Sequence, residues 1–476
     1  MATIDHNPTV CVIGAGSSGI TAVKALLERK IPFDCFEKSD QVGGNWVFDN
    51  RNGVSAAYRD LFINVSRERM AYSDYPMTRS YPDFPHHTQV KEYFDSYVDH
   101  FGLRSHITFE TSVERASRRS DGVWEIELET GEMRHYDVLL VANGHHWDQR
   151  WPEPPFPGAD EFAGLQLHSH AYRDSADFAG KDVIVVGIGN SAMDIAVEAS
   201  YAARNTYLST RSGAWILPKY LFGRPIDQIA TNPRIPFRVR RFAMEKILLA
   251  YSGSPERYGL PKPDHRVADA HPTISGRIFD RLAHGAITPK PNIARLEADA
   301  VVFVDGSTCH ADVIVYCTGY KITFPFFDPE FVSAPDNHVA LFRRVFHPDI
   351  NNLFFIGLLQ PLGAIMPLAE AQGAWVGDYL LGRYALPAPA DMRADIAADQ
   401  EAMRKRYVAS KRHTIQVDFD DYLHELKKER QRGAARAQRH NNRRPIPALA
   451  GSAAVLTAAA TSVSTTSSMA SAGRTQ

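Results

Sequence analysis

A glycine pattern that occurs twice constrains this chain more than any other feature. Val12-Ile13-Gly14-Ala15-Gly16-Ser17-Ser18-Gly19 follows an apolar run that begins at Val10. Val185-Val186-Gly187-Ile188-Gly189-Asn190-Ser191-Ala192 follows a second run that begins at Asp182. Each run reads as a strand. The first glycine then permits a tight turn, the second lets backbone approach a pyrophosphate, and the third small residue lets the next helix pack on the strand. The helix N-terminus offers unpaired N–H groups and the positive end of its dipole to phosphate. A chain with this pattern twice is constrained to two βαβ units and two dinucleotides.

The residue that closes the second strand distinguishes the units. In the first, Phe33–Phe36 reads as that strand and ends in Glu37, a carboxylate placed to accept hydrogen bonds from ribose hydroxyls. In the second, Thr206–Thr210 is followed by Arg211, between Thr210 and Ser212. A carboxylate there would repel a 2′-phosphate, whereas a guanidinium fork attracts one. Such a contact is worth about 1.5–3 kcal/mol, roughly a ten- to hundredfold preference for NADPH over NADH. The economical pair is FAD on the first unit and NADPH on the second, with hydride passing from nicotinamide to flavin. Gly14, Gly16, Ser17, Gly19 and Glu37 are therefore candidate FAD contacts, and Gly187, Gly189, Asn190, Ser191 and Arg211 candidate NADPH contacts. Gly43-Gly44-Asn45-Trp46 adds to the first set: Gly44 lets backbone pass a flat ligand and Trp46 could cover its ring, the plain alternative being a turn with a core tryptophan.

The length of 476 residues suits two or three domains. Apolar runs bounded by glycine recur at Asp137–Gly144, Asp312–Gly319 and Asn352–Gly357, alternating with helical stretches such as Ile20–Arg29 and Ala192–Ala202. Continuous apolar strands suit parallel sheets covered on both faces, so the class is α/β with two Rossmann-like dinucleotide-binding domains. Proline-rich Trp151–Pro157 marks a crossing between domains. Because two strands follow the second unit, the NADPH domain is expected to be inserted into the FAD domain. The boundaries read as 1–160 for the first part of the FAD domain, 161–300 for the NADPH domain, 301–430 for the resumed FAD domain with a helix around Tyr422–Lys428, and 431–476 for a disordered tail, basic and then rich in Ala, Ser and Thr. Within the NADPH domain, 216–290 carries Tyr220, Phe222 and Tyr251, with Trp215 just before. A lid, a subunit contact such as a homodimer, or core packing all fit.

Charge and cysteine narrow the function classes. Lys plus Arg number 53 and Asp plus Glu 55, which gives no electrostatic reason for nucleic acid or anionic membrane as partner. No run approaches the roughly 20 apolar residues of a membrane span, and no basic-then-apolar leader opens the chain. Cys11, Cys35, Cys309 and Cys317 form no Cys-x-x-Cys pair, which argues against a disulfide framework, a zinc site and a dithiol reductase, and for a reducing, cytoplasmic compartment. His168 and His170, with His145-His146, lack further ligands at metal spacing.

Between the two units lies Phe162-Ala163-Gly164-Leu165-Gln166-Leu167-His168-Ser169-His170-Ala171-Tyr172, which matches F-x-G-x-x-x-H-x-x-x-Y/F at every specified position. The chain resembles the flavin-containing monooxygenases from about Val10 to Leu426. Asn64-Val65-Ser66, Asp74-Tyr75-Pro76, Thr318-Gly319-Tyr320 and Gly357-Leu358-Leu359-Gln360-Pro361 add to the likeness. The resemblance implies that NADPH reduces FAD, that reduced FAD captures O₂ as a C4a-hydroperoxide, and that a nucleophilic nitrogen or sulfur of a small substrate takes one oxygen atom. It implies Asn64 as the amide beside the reacting oxygen, able to donate a hydrogen bond without an acidic proton. It implies Thr318, Gly319 and Gln360 as flavin contacts, and a domain-junction position for His168. Asn143-Gly144 departs from the Thr-Gly of many relatives. A Baeyer–Villiger oxygenase shares this architecture but typically has tryptophan where this chain has Tyr172. A non-catalytic NADPH sensor is the reading from another class, and a colourless protein that cannot take up FAD would mark it.

Overall fold

The computed structural model describes residues 8–229, 237–407 and 414–440. The ten strands that matter for the site are β1 (Val10–Ile13), β2 (Phe33–Phe36), β3 (Ile107–Thr108), β4 (Val138–Val141), β5 (Leu165–His168), β6 (Asp182–Val186), β7 (Asn205–Ser209), β8 (Thr288–Lys290), β9 (Val313–Tyr316) and β10 (Leu353–Phe355). They form two five-stranded parallel sheets, in the orders β10-β4-β1-β2-β3 and β8-β7-β6-β9-β5.

The two sheets follow one plan. In each, the fingerprint strand is central, with the second and third strands on one side and the fourth on the other. In each, the fourth strand is reached through a three-stranded antiparallel meander: Val113–Arg118, Trp124–Leu128 and Met133–Tyr136 in the first, Ile293–Leu296, Ala300–Phe303 and Thr308–His310 in the second. Parallel neighbours cannot be joined by a tight hairpin, so each unit needs such a crossover. The fifth strand differs in origin: β10 comes from beyond the second sheet, and β5 precedes it. The second sheet is thus inserted into the first domain.

Strand side chains alternate between faces, and both faces are covered. Val10 and Val12 join a core with Phe94, Tyr97, Phe346 and Trp375, while Cys11 and Ile13 join a second core with Trp124, Ile126, Phe324 and Phe327. That is why these runs are apolar at every position. Cys11 and Cys35 are both fully buried, in different cores. The helix after β1, α1 (Gly19–Glu28), packs on α3 (Met366–Leu380), where a Cβ on Gly373 would lie 3.2 Å from the Thr21 carbonyl oxygen. The corresponding helix of the second unit is α2 (Asn190–Ala202).

Two expected boundaries are corrected. The Val313–Tyr316 run is not the start of the resumed FAD domain: it pairs with β6 and β5 as the fourth strand of the second sheet, so 301 is too early. Its four residues are buried, and an apolar run does not itself say which sheet takes it. The disordered tail expected from 431 is helical to His440, as the end of α4 (Phe419–His440). The basic residues there have partners that composition does not show: Arg436 donates to the Ala385 carbonyl oxygen at 3.0 Å and to the Glu429 carboxylate. The remainder of the expected tail, 441–476, lies outside the described residues.

Within 216–290, Thr288–Lys290 belong to the second sheet as β8, while the described residues up to Ile274 form a subdomain with a small core of Leu217, Leu221, Ile226, Leu248 and Val267. It lies against the first domain: Tyr220 donates to Asp83 at 2.8 Å, and Lys219 and Asp227 reach the loop around Asn64.

A Cβ on Gly433 would fall 1.8 Å from the Tyr384 ring. Gly433→Ala should therefore cost about 1–3 kcal/mol, the range for overpacking. A chemical denaturation midpoint unchanged from the parent would show that this stretch does not pack.

Candidate cofactor and oxygenation site

The first fingerprint has the geometry a pyrophosphate cradle needs. Gly14 sits at φ +98, and a Cβ there would meet the Ala142 carbonyl oxygen at 2.7 Å. A Cβ on Gly19 would lie 1.9 Å from the Gly14 carbonyl oxygen, so only glycine lets α1 start this close to β1. The Gly43–Trp46 turn lies on the same loop: a Cβ on Gly44 would stand 3.3 Å from the Cα of Gly16, and Gly43 N–H donates to the Ala15 carbonyl oxygen at 3.2 Å. Half-buried Trp46 packs at the margin of the first core. Glu37, buried at the end of β2, accepts from Ala15 N–H at 2.6 Å and from Ser39 N–H at 2.8 Å. These bonds aim its carboxylate at the turn and leave lone pairs for a hydroxyl donor. Burial raises its pKa against the pull of both bonds. Gly357, after β10, returns to the same place: a Cβ there would strike the Ser18 hydroxyl at 2.0 Å. Tyr72 donates to the Ser17 carbonyl oxygen at 2.7 Å. Sequence reading passed over Tyr72, although it lies between two segments that carried the resemblance. Gln360 opens a short strand paired with Gln416–Asp418.

The second fingerprint repeats the first with one relaxation. Gly187, at φ +137, faces the Cys317 carbonyl oxygen, 2.8 Å from where a Cβ would stand, as Gly14 faces Ala142. The third position is Ala192, whose Cβ lies 3.4 Å from the position of a Gly187 Cβ. Gly189 caps α2, and Asn190 and Ser191 form its first turn. The Asn190 side-chain oxygen accepts from Ile274 N–H at 2.7 Å, which ties this turn to the subdomain within 216–290. Arg211 stands exposed beyond β7, with its guanidinium accessible where the sequence places the 2′-phosphate.

Both fourth strands end alike, in Asn143-Gly144 and Thr318-Gly319, with Gly144 at φ +71 and Gly319 at φ +86. Each leads straight into a crossing between the domains. Thr318 and Gly319 follow the fourth strand of the second unit, directly after Cys317, whose carbonyl oxygen faces Gly187. The crossings pair antiparallel, Asp148–Gln149 against Tyr320–Lys321. The Thr318 hydroxyl donates to the Arg150 carbonyl oxygen, and the Asn143 amide donates to the Thr323 carbonyl oxygen at 3.1 Å. The departure at Asn143 is thus a tie between the crossings. His168 sits at this junction, fully buried, with Tyr320 at 5.4 Å and Trp151 at 5.8 Å between ring centres. Its Nδ1 accepts from His170 N–H at 3.1 Å, which puts the proton on Nε2. Burial brings its pKa down to about 4, opposed by the Gly319 backbone, so the ring is neutral at pH 7.

Asn64 is half-buried in the Ile63–Ser66 loop, next to contacts that sequence reading missed. Lys219 donates to the Ile63 carbonyl oxygen at 3.0 Å, and Asp227 accepts from Ser66 N–H at 2.7 Å. Burial draws the Lys219 ammonium below the usual lysine range, opposed by Asp194. Two tyrosines join the first-domain loops and the fingerprint to α2: Tyr58 donates to Asp194 at 2.7 Å, and Tyr172 donates to Glu198 at 2.5 Å. Burial raises Glu198 to about 7, and its second oxygen is buried without a hydrogen-bond partner among the described residues.

Two glycine-turn βαβ units on one chain, one with a buried carboxylate after its second strand and the other with an exposed arginine there, define the class as a protein with two dinucleotide-binding domains. The model of the flavin-binding monooxygenase-like family matches residues 7–432, and the chain belongs to that family. It is 39% identical over 437 residues to flavin-containing monooxygenase 5 of Rattus norvegicus, covering 88% of this chain and 81% of the relative. It is 35% identical, over the same spans, to the N-oxide-forming dimethylaniline monooxygenase 2 of the same species. In fold it is similar to the S-allyl-L-cysteine S-oxygenase of Allium sativum, with TM-score 0.67 and 24% identity over 92% of this chain and 94% of that one. It is also similar to an open cyclohexanone monooxygenase, with TM-score 0.66 and 18% identity over 91% and 98%. The chain is a flavin-dependent monooxygenase that uses FAD and NADPH.

Gly19→Ala should abolish FAD retention and destabilise the fold by about 1–3 kcal/mol. Ala192→Gly, at the matching position, should cost only about 1 kcal/mol, the helix propensity difference. Flavin content and denaturation midpoints compare the two, and equal effects would contradict the geometry. Glu198 has a raised folded pKa, so its contribution to stability is full below the unfolded value of 4.5 and is lost as pH rises through about 7. Glu198→Gln should flatten that fall. A melting temperature whose pH dependence matches the parent across this window would exclude Glu198 as its source.

Proposed function

We propose that this enzyme transfers one oxygen atom of O₂ to a soft nitrogen or sulfur of a small organic molecule, with Asn64 beside the reacting oxygen. The observation that carries the reading is the pair of oppositely closed cradles, Glu37 on one and Arg211 on the other, joined by hydrogen-bonded crossings in a chain bearing the Phe162–Tyr172 fingerprint. FAD reduced by NADPH supplies the oxygen-activating chemistry when both are bound. Gly14, Gly16, Ser17, Gly19 and Gly44 hold the FAD pyrophosphate side by backbone, and Glu37 takes the ribose hydroxyls. Gly187, Gly189, Asn190 and Ser191 do the same for NADPH, and Arg211 takes its 2′-phosphate. Trp46 shields the flavin side, and Gln360 and the Gly357 turn close the same cradle. The Asn64 amide donates a hydrogen bond without offering an acidic proton. The printed names of an N-oxide-forming relative and of an S-oxygenase with this fold support the nitrogen or sulfur preference.

No helix among the described residues is long and apolar enough to cross a membrane. Four free cysteines, two of them fully buried, support the inference of a reducing, cytoplasmic setting.

A tertiary amine, a methyl aryl sulfide and a cyclic ketone should be offered in parallel with NADPH and air. Oxygenated amine or sulfide matching the NADPH consumed is the expected result. Turnover of the ketone alone would make this a Baeyer–Villiger enzyme. Asn64→Ala should still oxidise NADPH but release most of the oxygen as hydrogen peroxide, and tight coupling in that variant would remove Asn64 from the mechanism. Arg211→Ala should lower the NADPH-over-NADH preference about ten- to hundredfold, read as the ratio of kcat/KM values.

A further inference from the structure

We propose that Lys219 and Asp227, both on the subdomain within 216–290, are positioning residues that hold Asn64 at the reacting oxygen and so set how much NADPH is converted to product. This rests on the placement of Asn64 proposed above. The loop is gripped on both sides of that residue. Lys219 Nζ donates to the Ile63 carbonyl oxygen at 3.0 Å, and that carbonyl shares its peptide plane with the N–H of Asn64. Asp227 accepts from Ser66 N–H at 2.7 Å and from the Ser66 hydroxyl at 2.9 Å, which fixes the peptide between Val65 and Ser66. Gln228 adds a bond to the same hydroxyl at 3.0 Å, and Ser66 is fully buried. With the peptide before Asn64 and the peptide after Val65 both held, the Asn64–Val65 peptide between them has little room to turn, which restricts the direction in which the Asn64 side chain leaves the backbone.

Both bonds are charge-assisted, the stronger kind, and both come from outside the first domain. The Lys219 ammonium also lies 5.0 Å from the Phe84 ring centre and 5.8 Å from that of Phe62, which fixes its course from the subdomain to the loop. Asp194, on the dinucleotide helix α2, is close enough to act on the Lys219 charge. The same subdomain bonds Asn190 through Ile274 N–H at 2.7 Å. One folded piece therefore touches the start of the NADPH helix and the Asn64 loop together. To the lid, subunit contact or core packing that the sequence left open for 216–290, this contact adds a different reading, a part of the site's own scaffold.

The test uses the full-length holoenzyme, with Lys219→Met, Lys219→Arg, Asp227→Asn, Asn64→Ala and the double variant Lys219→Met/Asn64→Ala. Two readouts are taken: hydrogen peroxide released per NADPH oxidised, and amide hydrogen exchange of the peptide covering Ile63–Ser66. Lys219→Met and Asp227→Asn should raise the peroxide fraction several-fold and speed exchange in that peptide about tenfold, with β1 exchange unchanged. Lys219→Arg, which keeps the charge and a donor, should restore most of the coupling. In the Asn64→Ala background, Lys219→Met should add no further loss, because both act through one amide. Additive losses, or unchanged exchange in both single variants, would overturn the proposal. Should Lys219→Met fail to fold, Asp227→Asn alone decides by the same readouts. Should Asn64→Ala itself stay coupled, the Asn64 assignment fails, whereas uncoupling in Asn64→Ala but in neither positioning variant refutes only the present inference.

Discussion

The arrangement of this enzyme depends on the hydrogen bonds between two crossing strands. Electrons must pass between dinucleotides held on different sheets, so the sheets must keep a set relation to one another. The outgoing chain at Asp148–Gln149 and the returning chain at Tyr320–Lys321 pair antiparallel, which makes the link a short ribbon instead of two independent tethers. Asn337, buried and at φ +64, reinforces the ribbon: it donates to the Tyr320 carbonyl oxygen at 3.0 Å and accepts from Ile322 N–H and from Arg150, each at 2.9 Å. The residues that begin the crossings, Asn143 and Thr318, spend their side chains on the opposite strand. His168 lies in the same junction, neutral and buried, as a packing and hydrogen-bonding element.

The two units are variations on one plan, and their differences are where their chemistry separates. Both fingerprint turns press against a carbonyl at the end of the fourth strand, Ala142 in one and Cys317 in the other. Where the helix crowds the turn, glycine is required at position 19, and where it stands slightly further off, alanine suffices at 192. Past the second strand, a buried carboxylate bonded to two backbone N–H groups stands in one unit and an exposed guanidinium in the other. On the proposed assignment the first takes ribose hydroxyls and the second a 2′-phosphate, so one geometry would serve two ligands.

Much of this was legible in the chain. β1, β4, β6, β9 and β10 fall within the apolar runs, because strands covered on both faces are largely apolar, and β2 falls on Phe33–Phe36 as read. What stayed hidden depends on partners far away in sequence. Val313–Tyr316 reads as a buried strand, but its pairing with β6 and β5 is a tertiary fact. Gln431–His440 reads as a solvated basic tail until Tyr384 and Ala385 are placed beside its helix. Lys219 and Asp227 look like ordinary surface charges in a segment of mixed composition, and only the fold brings them to Ile63 and Ser66. The glycine positions were readable because a backbone contact leaves no choice of side chain. The charged positioning contacts were not, because many side chains can make an ion-assisted bond.

The most direct test of the central claim is turnover of a sulfide or tertiary amine with NADPH under dioxygen labelled with the heavy oxygen isotope, followed by mass analysis of the product. The account requires one labelled atom in each product molecule, none taken from water, and one NADPH consumed for each. Unlabelled product, or NADPH consumed with only hydrogen peroxide formed from every substrate offered, would contradict it and leave an oxidase or an electron-transfer flavoprotein in its place.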